Sequence, residues 1–256
     1  MASYEEFFRR SIDDRDAFWA EQAQLIEWKT QPQTICDYSN PPFARWFAGG
    51  TTNLCHNAVD RHLAERGDQP ALIFVSTETD EERTYTFSQL HREVQRMAAA
   101  LQKLGVKKGD RVLIYMPMIA EACFAMLACT RIGALHSVVF GGFASGSLAT
   151  RIDDAEPAVI VSADAGSRGG KPVPYKHLLD EAIQLAKHKP SAVLLVDRGL
   201  APMQLVEGRD HVWGVLRESL LDAQVPCEWV DATHPSYTLY TSGTTGKPKG
   251  VQRDTG

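Results

Sequence analysis

Two short stretches, Ala158-Val159-Ile160-Val161 and Ala192-Val193-Leu194-Leu195-Val196, contain no polar side chain. Runs this short and this apolar fit strands buried on both faces, which requires a sheet covered by helices on each side. Apolar runs at 111–116 and 134–140 precede them. Helical patterns at about 119–132, 145–153 and 175–187 fall between or after these runs. The alternation predicts an α/β layered domain with a mainly parallel sheet and flanking helices.

Upstream, Ser88 is read as the cap of an amphipathic helix in which Leu90, Val94, Met97, Ala98, Leu101 and Leu104 form the apolar face and Gly105 the stop. Asn53 is read as the cap of a helix running to Arg66, and two short β runs are expected at 71–75 and 83–87. Ser3 and Glu6 have capping-box spacing, and the segment to Trp28 reads as two helices interrupted at 11–14. Residues 29–50 show little periodicity and read as an irregular arm packed through Phe43, Trp46 and Phe47. The organisation expected is a helical and irregular extension over 1–52 and an α/β unit over 53–256.

A composition of 44% hydrophobic and 23% charged residues excludes a disordered chain. The net charge of −5 gives no basis for binding a polyanion, so nucleic acid is not expected as a partner. No apolar run approaches a membrane span, and Glu5, Glu6, Arg9 and Arg10 stand where a leader would be apolar; a cytoplasmic protein is expected. Cys36, Cys55, Cys123, Cys129 and Cys227 form no C-x-x-C, and the eight histidines form no ligand pattern. The thiols read as small buried hydrophobes, and no metal-ligating or catalytic residue is assigned.

Near the C-terminus, Tyr237-Thr238-Leu239-Tyr240 reads as a half-buried strand entering Thr241-Ser242-Gly243-Thr244-Thr245-Gly246-Lys247-Pro248-Lys249-Gly250. Hydroxyls, glycine N–H groups and lysines together can surround phosphate oxygens, although a plain solvated turn has the same composition. Only two residues separate Gly243 from Gly246, and Pro248 stands where a Walker loop needs Ser or Thr for magnesium, so a Walker NTPase is excluded. No G-x-G-x-x-G follows a strand, which removes the main support for a dinucleotide fold. Gly141-Gly142 reads as a tight turn at a strand end. Arg168-Gly169-Gly170-Lys171 fits a phosphate clamp and a solvated loop equally well. Residues 252–256 read as loop.

The 237–251 stretch resembles the signature loop of the adenylate-forming enzymes. Taken with the Trp-containing opening, Tyr85-Thr86-Phe87-Ser88-Gln89-Leu90, Gly109-Asp110-Arg111-Val112 and the Arg168 loop, the chain is most similar to the short-chain acyl-CoA synthetases, the propionate and acetate CoA ligases. The resemblance implies activation of a small carboxylate by MgATP to an acyl-adenylate and pyrophosphate, then displacement of AMP by the CoA thiol. It implies that Thr241, Ser242, Gly243, Thr244, Thr245, Gly246 and Lys247 hold ATP phosphates, and that Arg168, Gly169, Gly170 and Lys171 meet the 3′-phosphate ADP portion of CoA. It further implies that the acid pocket, the adenine contacts and a C-terminal domain lie beyond residue 256, so that this stretch is inactive alone; a non-catalytic CoA- or partner-binding module is the alternative.

Overall fold

The computed structural model describes residues 3–241 and 248–256. The chain opens with α1 (Tyr4–Asp13) and α2 (Arg15–Gln22), followed by an antiparallel hairpin of β1 (Thr34–Asn40) and β2 (Phe43–Ala48) and by β3 (Thr51–Thr52). Next come α3 (Leu54–Ala58), a 3₁₀ turn at Asp60–His62, α4 (Leu63–Arg66), the hairpin β4 (Pro70–Ser76) and β5 (Glu81–Thr86), and α5 (Phe87–Lys103). The layered part then runs β6 (Arg111–Met116), α6 (Ala120–Arg131), β7 (Leu135–Phe140), α7 (Ser145–Ala155) and β8 (Val159–Ala163). A small hairpin, β9 (Gly166–Arg168) and β10 (Lys171–Val173), precedes α8 (Tyr175–Leu185) and β11 (Ala192–Val196). The chain finishes with β12 (Asp210–Val212), α9 (Trp213–Glu218), β13 (Val230–Asp231), β14 (Pro235–Thr241) and β15 (Lys249–Asp254).

Seven strands form the main sheet in the order β12-β11-β8-β6-β7-β14-β15, and every pairing is parallel except β14 with β15. Alternation along β6 sorts the core into two layers. Val112, Ile114 and Met116 pack with Val94 and Met97 of α5 and Phe124 and Ala128 of α6. Leu113 and Tyr115 pack on the other face with Leu148 and Ile152 of α7 and Leu179 and Ile183 of α8. Each fully buried aliphatic side chain contributes roughly 1.5–3 kcal/mol, so this double layer is what makes the apolar runs necessary.

The α/β layered domain with a mainly parallel sheet agrees with the expectation, and the helix break falls at Asp14, between α1 and α2. Several local readings change. The expected arm at 29–50 contains the β1–β2 hairpin, whose Trp46 lies edge-on to Trp19 with ring centroids 5.8 Å apart. The helix read over 54–66 is broken into three pieces, because Val59 leaves helical dihedrals and Asp60 is turned toward Arg131, which donates to both its oxygens at 2.8 and 2.9 Å. Thr86, not Ser88, caps α5: its hydroxyl accepts from Gln89 N while the Gln89 side chain accepts from Thr86 N, a complete capping box. Residues 252–254, read as loop, lie in β15, because the β14 ladder supplies partners that local sequence does not advertise. β12 and α9 have no counterpart in the sequence reading; at three and six residues they are too short to show a period.

Candidate functional site

The parallel strands point their C-terminal ends toward one edge of the sheet, where loops carry the residues of interest. β14 is joined to β7 at the register pair Tyr237–His136 and by a hydrogen bond from Ser137 Oγ to Thr238 O at 2.8 Å. Its last residue, Thr241, is exposed and opposite Lys249 of β15. Ser242, Gly243, Thr244, Thr245, Gly246 and Lys247 lie outside the described residues. Gly250, placed by the sequence among the loop glycines, is a strand residue opposite Tyr240.

What holds the strand leading to that loop is well defined. Tyr240 donates its hydroxyl to Asp154 Oδ2 at 2.7 Å, and burial, reinforced by Asp154, pushes its pKa well above the usual tyrosine value. The phenol therefore stays a donor. Arg151, one helical turn back on α7, is buried and donates to Ser147 O and Oγ, both at 2.8 Å. Its guanidinium carbon lies 4.0 Å from the Phe143 ring centroid and 5.5 Å from that of Tyr240. Cation–π contact thus spans the strand and the turn after β7.

That turn is Gly141-Gly142. Tyr115 on β6 donates to Gly141 O at 3.3 Å and Phe143 O at 3.1 Å, and its ring packs 5.1 Å from Tyr175 at the start of α8. A Cβ on Gly141 would stand 2.1 Å from the Tyr175 hydroxyl, and one on Gly166 would stand 2.9 Å from it. The close approach that Gly141 permits is therefore to Tyr175, which also touches the base of the β9–β10 hairpin.

The hairpin carries the second predicted cluster. Gly169 and Gly170 have φ of +58° and +76°, the two-residue type I′ turn that matches strand twist. Arg168 and Lys171 are directly opposed in the ladder and both exposed, so two cations share one face of the hairpin. Like charges so placed repel, and an anion between them removes the repulsion. Glu78, from the turn between β4 and β5, fixes the hairpin: Ser167 N donates to its Oε1 at 2.9 Å and Arg198 Nη2 to its Oε2 at 2.7 Å. Arg198 also donates to Ala165 O at 2.9 Å. Sequence reasoning missed Tyr175, Arg151, Glu78 and Arg198, since each acts through a contact far away in the chain.

Thr241 and Arg168 stand on separate elements. A continuous set of contacts runs between them from Tyr240 through Arg151, Phe143, Tyr115 and Gly141 to Tyr175 and Gly166. Elsewhere, the fold brings Cys55, Asp60 and Cys227 within 4.8 Å of one another, the one such donor group among the described residues. Arg131 already takes both Asp60 oxygens and lies 3.5 Å from Cys55 Sγ, a cation where a metal would have to sit. Among the described residues, no helix is long and apolar enough to cross a membrane.

The family model described as "AMP-binding enzyme" matches residues 59–256, and that described as "Acetyl-coenzyme A synthetase N-terminus" matches residues 4–58. Propionate–CoA ligase of Salmonella typhimurium is 64% identical over 254 residues, covering 99% of this chain and 40% of that protein. Acetyl-coenzyme A synthetase of Streptomyces coelicolor is 48% identical over 255 residues, covering 98% of this chain and 38% of that protein. The solved acetoacetyl-CoA synthetase from Streptomyces lividans superposes with a TM-score of 0.89 at 31% identity, over all of this chain and 39% of that one. The chain thus spans about 40% of the length of the curated relatives it matches.

Proposed function

Because the chain belongs to the AMP-binding enzyme family, we propose that it is the N-terminal portion of an ATP-dependent short-chain acyl-CoA ligase whose acid is propionate. The observation that carries this reading is the 64% identity to a propionate–CoA ligase across 99% of the chain. A carboxylate oxygen attacks the α-phosphorus of ATP and pyrophosphate leaves; the CoA thiol then attacks the acyl carbon and AMP leaves. Two anions must meet in the first step and a highly charged group must depart, so positioning and charge compensation dominate the work.

In this reading Thr241, Ser242, Thr244, Thr245 and Lys247, with the backbone of Gly243 and Gly246, hold the departing phosphates. Magnesium enters bound to ATP, as part of the substrate. Arg168 and Lys171 clamp the phosphate of CoA, with Gly169 and Gly170 keeping the tip free of side chains. The opposed, exposed pair of cations on a hairpin fixed by Glu78 supports that role. The hairpin bearing Thr241 and the hairpin bearing Arg168 then serve the first and second steps respectively.

ATP–pyrophosphate exchange with propionate and with acetate, on this chain and on a protein of the relatives' full length, tests the proposal. Exchange by the long protein that is faster with propionate supports it. Exchange by the 256-residue chain alone would show that the stretch holds a sufficient active site. Absence of exchange in both would remove the ligase reading.

A further inference from the structure

Away from both hairpins, β5, α5 and α9 enclose a groove of about 610 Å³ lined by four arginines, Arg83, Arg92, Arg96 and Arg217, and by one carboxylate, Glu93. Arg92, Glu93 and Arg96 share a face of α5, with Arg83 reaching in from β5 and Arg217 from α9. Glu93 is buried and its two oxygens accept from Arg217 Nε and Nη2 at 2.8 and 2.6 Å and from Arg96 Nη1 at 2.7 Å. One negative charge is thus shared by two guanidinium groups.

Two donors are left over, although Arg96 Nη2 also reaches Leu221 O at 3.3 Å. Arg92 is exposed and has no hydrogen bond or ion pair among the described residues. Arg96 Nε is buried with no partner. Arg83 pairs with Glu81 and lies 4.0 Å from Glu121, and Arg217 uses its third nitrogen on Glu218 at 3.2 Å, but none of these three carboxylates lines the groove itself. Buried or converging N–H donors without acceptors are rare and costly, and guanidinium forks fit phosphate oxygens in pairs. Through Arg83, Tyr85, Glu93 and Arg217 the groove adjoins a second hollow of about 300 Å³ that Glu121 and Asp197 also line, so the cationic part is the groove of four arginines.

We propose that this groove binds a small phosphate-class polyanion of about the size of pyrophosphate, seated on Arg92 and Arg83 at its mouth with Arg96 and Arg217 behind. Glu93 holds the inner two guanidinium groups in place. The site shares no residue with the loop at 241–247 or with the Arg168 hairpin.

Isothermal titration of the 256-residue chain with inorganic pyrophosphate tests the assignment, with Lys247→Ala and Arg168→Ala as a common background to which Arg92→Gln or Arg83→Gln is added. Arg92 makes no contact that the fold relies on, so its variant keeps the native circular dichroism. In that background, where the two anion-holding loops proposed above are weakened, the expected result is one-to-one binding, weakened roughly tenfold or more when either groove substitution is added, as loss of a charge-assisted contact implies. Weakening of that binding as salt rises belongs to the same result. Absence of binding in that background, or equal binding with and without the groove substitutions, would overturn it.

Discussion

His136 and Tyr237 are the register pair that fastens β14 to β7, and their rings lie 5.7 Å apart at an interplanar angle of 30°. The His136 Nδ1 is buried without a hydrogen-bond partner, and burial brings the imidazole pKa down to about 4. The strand that leads to Thr241 is therefore anchored by a ring that must remain neutral.

A pH dependence follows. The unfolded chain takes up the His136 proton near pH 6.5, whereas the folded protein resists it until about pH 4. The contribution is complete above about pH 6.5 and is lost as pH falls toward 4, because the unfolded state binds more protons in that window. Urea unfolding at pH 7 and pH 5 is expected to show about 2 kcal/mol more loss in the wild type than in His136→Phe, which keeps the ring but cannot titrate. Equal losses would show that His136 is not the group responsible.

Gly141→Ala is expected to destabilise the chain by roughly 1–3 kcal/mol, the usual cost of overpacking. The added carbon meets the Tyr175 ring, an aromatic pinned between two glycine positions rather than a flexible tip. A second substitution, Tyr175→Ala, should recover much of the penalty attributable to Gly141→Ala. Denaturant unfolding of the four members of that cycle measures the coupling, and additive effects would show that the clash is relieved elsewhere.

Asp60 sits where burial alone would raise its pKa, but hydrogen bonds from His91 and Arg131 outweigh this and hold the carboxyl far below the usual range. Its contribution is present above about pH 4 and is lost only in stronger acid. Asp60→Ala leaves Arg131, 3% exposed, with an uncompensated charge, and a loss of about 3–5 kcal/mol in unfolding free energy is expected. A loss below about 1 kcal/mol would mean that water reaches the guanidinium.

If the Arg168 hairpin holds CoA, then Glu78→Gln, which weakens the tie to Arg198, should raise the KM for CoA in a full-length ligase by up to about tenfold. The KM for ATP should stay unchanged, since Glu78 touches only the hairpin side. Steady-state kinetics with each substrate varied in turn decide this, and an equal rise in both values would indicate a general loss of structure.

The layered sheet was legible because double burial leaves a signal that no surface strand produces, as at Ala192–Val196, where the observed bounds and the apolar run coincide. The Arg168–Lys171 turn was legible as a cluster but not as a hairpin, since its partner strands are three residues each and weakly patterned. Asn53 marks the limit of local reading. Its capping role is visible in sequence, yet the same side chain also donates to Thr130 O and Glu228 O, both at 2.8 Å, joining three distant segments. Nothing near residue 53 announces those carbonyls. Tyr175 and Glu78 escaped notice for the same reason: their partners are defined by how the chain returns on itself.

β15 is exposed at all six positions and forms the last strand of the sheet, with β14 on one side. Among the described residues, its outer row of backbone N–H and C=O groups has no neighbouring strand, a geometry that invites a second chain to add itself by main-chain pairing. Lys249, Arg253 and Asp254 set charges along that rim, and a partner strand would have to tolerate all three. Among the described residues, three charged side chains on one margin, and not the well-filled interior, stand where such pairing would form.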